Sequence, residues 1–124
     1  MGKLNLDMPN DNLDNLTLRL REFADKRDWE QFHSPKNLSM ALIAEAAELI
    51  EHFQWLTQEE SANLPADKLK EVEQELADIL NYVIRISDKL GIDLIEAANR
   101  KIDINAEKYP VDAVKGSSKK YSEY

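Results

Sequence analysis

The chain has 124 residues, a formal net charge of −8 and no cysteine. The length predicts one domain over 1–124, and the missing cysteines exclude disulfides and thiolate metal sites. The acidic charge argues against DNA or RNA as a partner, because a phosphate backbone would repel the protein. There is no signal-peptide core, no apolar run of about 20 residues that could cross a bilayer and no myristoylation signal, so we expect a cytoplasmic protein without a membrane partner.

Periodic apolar positions predict four long helices joined by short links, and hence an all-α four-helix bundle. The expected helices lie at 12–26, 35–56, 65–90 and 93–109. Ser34 followed by Pro35 is typical of a helix start, and Gly91 is typical of a helix end. The segments 27–36 and 57–66 are expected to be loops, and 1–11 and 111–124 are expected to be flexible or peripheral tails.

The second and third predicted helices carry acidic side chains on defined faces. Glu45 and Glu48 are three residues apart within an apolar stretch, so they share one face of the second helix. Glu75, Asp78 and Tyr82 lie along one stripe of the third helix. The opposite stripe is the predicted core face and comprises Leu69, Val72, Leu76, Ile79, Val83 and Ile86.

These acids have no positively charged neighbours along the chain, since no Lys or Arg occurs between residues 36 and 68 or between 70 and 85. Acids at this spacing are also common on solvated helix faces. Unpaired acids in apolar surroundings are unstable, however, and a hard cation bound by carboxylate oxygens would neutralise them. An all-oxygen site favours Mg²⁺, with Mn²⁺ as a substitute. The expected metal ligands are Glu45, Glu48, Glu75 and Asp78.

Other residues suit a nucleotide. Three polar side chains share one face of the fourth helix and could hold phosphate oxygens, namely Lys101, Asn105 and Lys108. Four aromatic side chains could stack on a base, namely Trp29, Phe32, Trp55 and Tyr82. His33 could be a general acid, a polar contact to the base or a capped loop residue. The alternatives are a solvated basic face for the first set and ordinary core filling for the second.

Taken together, these residues resemble the MazG-like all-α nucleoside triphosphate pyrophosphohydrolases, and within them the dCTP pyrophosphatase branch. The likeness begins at about Leu16 and rests on the acid pairs and on the strings 27–33, 53–55, 101–110 and 117–121. The resemblance implies Mg²⁺-dependent cleavage of dCTP or a modified dCTP to the monophosphate and pyrophosphate, which cleanses the nucleotide pool. It also implies a homo-oligomer, either a dimer or a tetramer of paired dimers.

The resemblance assigns the same residues to roles. It implies that the four carboxylates hold Mg²⁺ and that Lys101, Asn105 and Lys108 meet the phosphates. It also implies that a deoxycytidine-type base and sugar lie near Trp29, His33, Trp55 and Tyr82. We expect Glu45 or Glu48 to accept the proton of the attacking water. The sequence departs from some members of the branch at Leu20, where they carry a histidine that contacts the substrate.

Two other functions remain open from the sequence. The apolar stripes could serve a non-catalytic helical module that only oligomerises. A carboxylate-bridged redox-metal bundle would need a Glu-x-x-His motif, and the chain has none, since His52 follows Glu48 by four residues.

Overall fold

The computed structural model describes residues 12–118, which form α-helices joined by turns. The α-helices are α1 Leu13–Lys26, α2 Pro35–Glu51, α3 Gln58–Ser61, α4 Ala66–Leu90, α5 Leu94–Lys108 and α6 Val111–Val114. A short 3-10 helix, Glu30–Phe32, lies between α1 and α2. The described range contains no strand, which confirms the predicted all-α class. None of its helices combines the length and the apolar character needed to cross a bilayer.

The ends of the long helices follow the local signals in the sequence. The Ser34 hydroxyl accepts a hydrogen bond from the Asn37 amide at 3.1 Å, directly before Pro35. The Asp93 carboxylate likewise accepts from the Glu96 amide at 3.1 Å and caps α5. Gly91 ends α4 with a φ of 67°, a left-handed conformation that glycine adopts without strain. These contacts fix where α2 begins and how α4 turns into α5.

Three segments differ from the prediction. Helix α2 ends at Glu51 rather than near residue 56, because the chain leaves it through turns in which the Phe53 amide donates to the Ile50 carbonyl at 2.9 Å. The predicted loop 57–66 contains α3, which Thr57 and Glu60 begin with a reciprocal capping box. The predicted tail 111–124 begins with α6, while residues 1–11 and 119–124 lie outside the described part of the chain.

Helix packing centres on α4, which lies against α2 and, less extensively, against α1. His52, at the end of α2, approaches Glu71 near the start of α4, whereas Glu45 interacts with Glu75 further along α4. The two helices therefore run antiparallel. The buried apolar side chains come from all three helices and are Ala24, Leu38, Val72 and Ile84.

The predicted core face of α4 is only partly buried. Val72 is buried, but Leu69 and Leu76 are 55% and 52% exposed. The prediction is wrong for these two leucines within the single chain, because the described helices do not cover this part of α4. Helix α5 is similar, since Ile95 and Ile102 are exposed. Apolar surface of this extent is typical of a face that another subunit covers.

Candidate active site

A cluster of three carboxylates lies between α2 and α4. One oxygen from each of Glu45, Glu48 and Glu75 lies within 4.8 Å of the other two. The three-residue spacing places Glu45 and Glu48 on one face of α2, and the antiparallel approach of α4 brings Glu75 to them. Like charges at this separation repel one another unless a proton or a cation neutralises them.

The described part of the chain does not neutralise this cluster. Among residues 12–118, no Lys or Arg nitrogen lies within 4.0 Å of a carboxylate oxygen of Glu45, Glu48 or Glu75. The Oε2 atoms of Glu45 and Glu75 are buried and have no hydrogen-bond partner in this range. Buried acceptors without donors destabilise a fold. An oxygen-binding cation would satisfy them, so the residues present fit a hard metal ion.

The electrostatics of Glu45 reflect this crowding. Burial raises the pKa of Glu45 to about 7, and a hydrogen bond with Glu75 and the charge of Glu48 act in the same direction. The metal-free cluster therefore holds a proton at a pH where an ordinary glutamate is ionised. A divalent cation would have the opposite effect and favour the ionised carboxylate.

Asp78 and Tyr82 connect the cluster to a neighbouring cavity. Asp78 lies outside the set of three, but its charge contributes to the raised pKa of Glu45. Burial raises the pKa of the Tyr82 hydroxyl, and the charges of Glu45 and Asp78 raise it further. Since Asp78 and Tyr82 line the cavity and both interact electrostatically with Glu45, the cavity lies next to the carboxylate cluster.

The cavity has a volume of about 420 Å³, is open to solvent on one side and is lined by α1, α4 and the segment between α1 and α2. Its size falls within the usual range for small-molecule sites. Phe23, Trp29 and Tyr82 supply aromatic walls, and Asn81 and Arg85 supply polar groups. Aromatic walls with a few polar groups suit the stacking and edge recognition of a nucleobase.

Contacts with α1 place the aromatic side chains of the connecting segment. Asp28 has a φ of 54°, which turns the chain back towards α1, and the Trp29 amide donates to the Ala24 carbonyl at 2.9 Å. The Trp29 ring meets Phe23 edge to face at 5.7 Å between centroids and lies 6.2 Å from the His33 ring. The segment that the sequence predicted as a loop is therefore held in a defined conformation.

The structure brings some of the predicted residues together and leaves others apart. Trp29, His33, Asp78 and Tyr82 line the cavity beside the carboxylates. Trp55 is 87% exposed beyond the end of α2 and does not line this cavity. The three polar residues of α5 are exposed and do not line it either, namely Lys101, Asn105 and Lys108. Their assignment to phosphates stays a prediction.

Sequence reasoning missed several cavity residues. Asn81 follows Asp78 by three positions and Arg85 follows Tyr82 by three, so extending the acidic stripe of α4 would have found both. Phe23 and Leu20 belong to the apolar pattern of α1, which gives no sign that they face a cavity. Leu20, where the sequence departs from the histidine that the resemblance leads one to expect, places an apolar side chain on the cavity wall.

An all-α fold with an acidic site between two long antiparallel helices, next to an aromatic cavity, defines the class of this protein. The chain belongs to the MazG-like family, whose sequence profile matches residues 41–124. The matched range contains the three clustered glutamates together with Asp78 and Tyr82. This finding confirms the resemblance seen in the sequence.

Individual relatives are similar along most of the chain. It is 39% identical to dCTP pyrophosphatase 1 of Homo sapiens over 118 residues, which cover 93% of this chain and 69% of the human protein. It is 43% identical to the Bos taurus protein of the same name over 105 residues, covering 82% and 62%. The crystal structure of a pyrophosphatase from Archaeoglobus fulgidus superimposes with a TM-score of 0.76 at 38% identity, covering 86% of this chain and 99% of that one.

Proposed function

We propose that this protein is a metal-dependent nucleoside triphosphate pyrophosphohydrolase that converts dCTP, or a 5-modified dCTP, to the monophosphate and pyrophosphate. The observation that carries the proposal is the carboxylate cluster beside an aromatic cavity, whose lining residues Asp78 and Tyr82 interact electrostatically with Glu45. The cavity suits a base, and the cluster suits the cation of a polyphosphate. The relatives named dCTP pyrophosphatase 1 support cytosine as the base. The proposed role is cleansing of the cytoplasmic nucleotide pool.

The proposed metal is Mg²⁺, which Mn²⁺ could replace. Glu45, Glu48 and Glu75 would hold it, with Asp78 at the side that faces the cavity. Their oxygen-only donor set suits hard cations, which complete their coordination with water and substrate phosphates. When bound, the metal would neutralise phosphate charge and make the α-phosphorus more electrophilic.

Glu45 or Glu48 is the proposed proton acceptor for the attacking water. The water oxygen bonds to the α-phosphorus while the bond from that phosphorus to the bridging oxygen of the β-phosphate breaks. A carboxylate oxygen that is not occupied by metal takes the proton of the water, and pyrophosphate leaves with the bonding electrons. Glu48 is exposed, whereas Glu45 has a buried oxygen, so the two would contribute differently.

The proposed active form is a homo-oligomer, either a dimer or a tetramer. Exposed apolar side chains on α4 and α5 support this, since water would otherwise contact Leu69, Leu76, Ile95 and Ile102. Covering α5 would also immobilise the helix that carries Lys101 and Asn105. We propose that these residues and Lys108 meet the phosphates in the assembled protein.

The test is product analysis with purified protein, dCTP and Mg²⁺. We expect equal amounts of dCMP and pyrophosphate, and no reaction when a chelator removes the metal. A panel of the other deoxynucleoside triphosphates and 5-methyl-dCTP would define base preference. Release of dCDP and inorganic phosphate without pyrophosphate would contradict the proposed reaction.

A further inference from the structure

Arg85 is a buried cation on the wall of the cavity, one turn after Tyr82 on α4. Its side chain is only 5% exposed, although it lines the cavity together with His33 and Trp29. A buried guanidinium needs partners that balance its charge. Those partners determine which groups the cavity can offer to a ligand.

Two carboxylates hold the Arg85 guanidinium. Its Nη2 donates to Glu30 Oε1 at 2.7 Å, and its Nη1 lies 3.7 Å from Asp88 Oδ2. The Asp88 side chain is 7% exposed and accepts two further hydrogen bonds from Arg21, at 2.7 and 2.5 Å. Lys89 also contacts Glu30. This alternation of charges connects α1, α4 and the 3-10 helix, so the guanidinium is fixed in place.

The same Nη2 lies 3.3 Å from Nδ1 of His33. Arginine only donates hydrogen bonds and keeps its charge, so the His33 Nδ1 must be unprotonated to accept one. A neutral imidazole then carries its proton on Nε2. Burial lowers the pKa of His33, and the charge of Arg85 lowers it further, which keeps the ring neutral near pH 7. No described group forms a hydrogen bond with Nε2.

We propose that Arg85 is a positioning residue that holds His33 as its Nε2–H tautomer, so that the cavity offers a hydrogen-bond donor to an acceptor on the edge of the base. The O2 carbonyl and the N3 ring nitrogen of cytosine are acceptors, whereas its exocyclic amine is a donor. If Nδ1 carried the proton instead, Nε2 of His33 would be a hydrogen-bond acceptor. It could then form no hydrogen bond with the carbonyl oxygen of the base, which is also an acceptor. The choice of base edge rests on the proposed function, but the tautomer does not.

The tautomer can be measured directly by long-range ¹H–¹⁵N NMR of the metal-free protein. The chain has two histidines, so the spectrum of His52→Gln assigns the His33 signals. We expect a protonated Nε2 and an unprotonated Nδ1 in the native protein, and a mixture of tautomers in Arg85→Met. A native spectrum with the proton on Nδ1 overturns the proposal, as does an unchanged tautomer in Arg85→Met. If that variant does not fold, the native spectrum still decides whether Nε2 or Nδ1 of His33 carries the proton.

Steady-state kinetics then test the contact with the base. We expect Arg85→Met to raise KM for dCTP about tenfold, the loss of roughly one hydrogen bond, while kcat changes much less. An unchanged KM, or a loss confined to kcat, overturns the assignment to base recognition. If His33 carries its proton on Nε2 but the protein hydrolyses no triphosphate, the proposed function is refuted and the tautomer assignment is not. An active enzyme with Nδ1–H would refute this inference alone.

Discussion

Replacing Glu45 by glutamine is expected to lower kcat for dCTP hydrolysis by on the order of 100- to 10,000-fold. Glutamine keeps the size of the side chain but cannot accept a proton and binds Mg²⁺ weakly. The substitution removes one of the three clustered carboxylates and leaves the cavity unchanged. Initial rates at saturating dCTP and Mg²⁺ give kcat.

Loss of folding would not explain this result. The charge of Glu45 is opposed by burial and by its neighbours, so Glu45→Gln should leave the metal-free protein at least as stable as wild type at about pH 8. Its amide could also donate to the unpaired Oε2 of Glu75. The matched control is Glu51→Gln, an exposed acid at the end of α2, which should keep full activity. Glu45→Gln activity within about tenfold of wild type would remove Glu45 from the site.

Mg²⁺ is expected to raise the melting temperature strongly at about pH 8 and only slightly at about pH 5.5. The ordinary pKa of a glutamate is 4.5, and in the folded protein that of Glu45 rises to about 7. The folded state therefore binds the proton more tightly than the unfolded state. Without metal, the contribution of Glu45 to stability therefore decreases as the pH rises from about 4.5 to 7.

Metal binding needs ionised carboxylates, so the affinity for Mg²⁺ increases as Glu45 loses its proton. At a concentration one hundred times its Kd, a ligand of the native state adds about 2.7 kcal/mol, which corresponds to several degrees in melting temperature. Thermal melts at both pH values, with Mg²⁺ or with a chelator, measure the effect. Glu75→Gln should abolish it, whereas Glu71→Gln, an acid that pairs with Lys68 at 3.1 Å, should not. No shift at either pH would favour the non-catalytic oligomerisation module, whereas an equal shift at both pH values would contradict the coupling between metal binding and the proton of Glu45.

Two helix starts and one helix end could be predicted because their signals are local. Ser34, Asp93 and Gly91 act through contacts with residues a few positions away, and the structure shows each of them at a helix end. The end of α2 carries no such signal. Apolar side chains continue through Phe53 and Trp55, so the periodic pattern runs past the point at which the helix stops.

The carboxylate cluster could be foreseen because it depends on an absence along the chain. Acids in apolar surroundings that have no nearby lysine or arginine must be neutralised by another group. The structure places Glu45, Glu48 and Glu75 together without a described cation. Arg85 was missed for a related reason. In the sequence it marks only where the cation-free stretch of α4 ends, and its contacts with Glu30 and His33 join distant parts of the chain.

The remaining predicted residues depend on surfaces that one chain does not cover. Trp55 and the polar residues of α5 are exposed, and so are the apolar side chains beside them. Sequence periodicity identifies an apolar face but does not distinguish whether the same chain or another subunit covers it. The overestimated burial of Leu69 and Leu76 has the same origin.

The central claim is that the cluster binds a divalent metal that holds the triphosphate of a nucleotide in the cavity. Crystals grown with Mn²⁺ and a dCTP analogue whose α–β bridge cannot be hydrolysed would test it by anomalous diffraction. We predict an anomalous peak in contact with Glu45, Glu48 and Glu75, with phosphate oxygens at the same ion and the base beside Trp29. Lysine or arginine side chains of another subunit paired with these glutamates, and Mn²⁺ bound elsewhere, would contradict it.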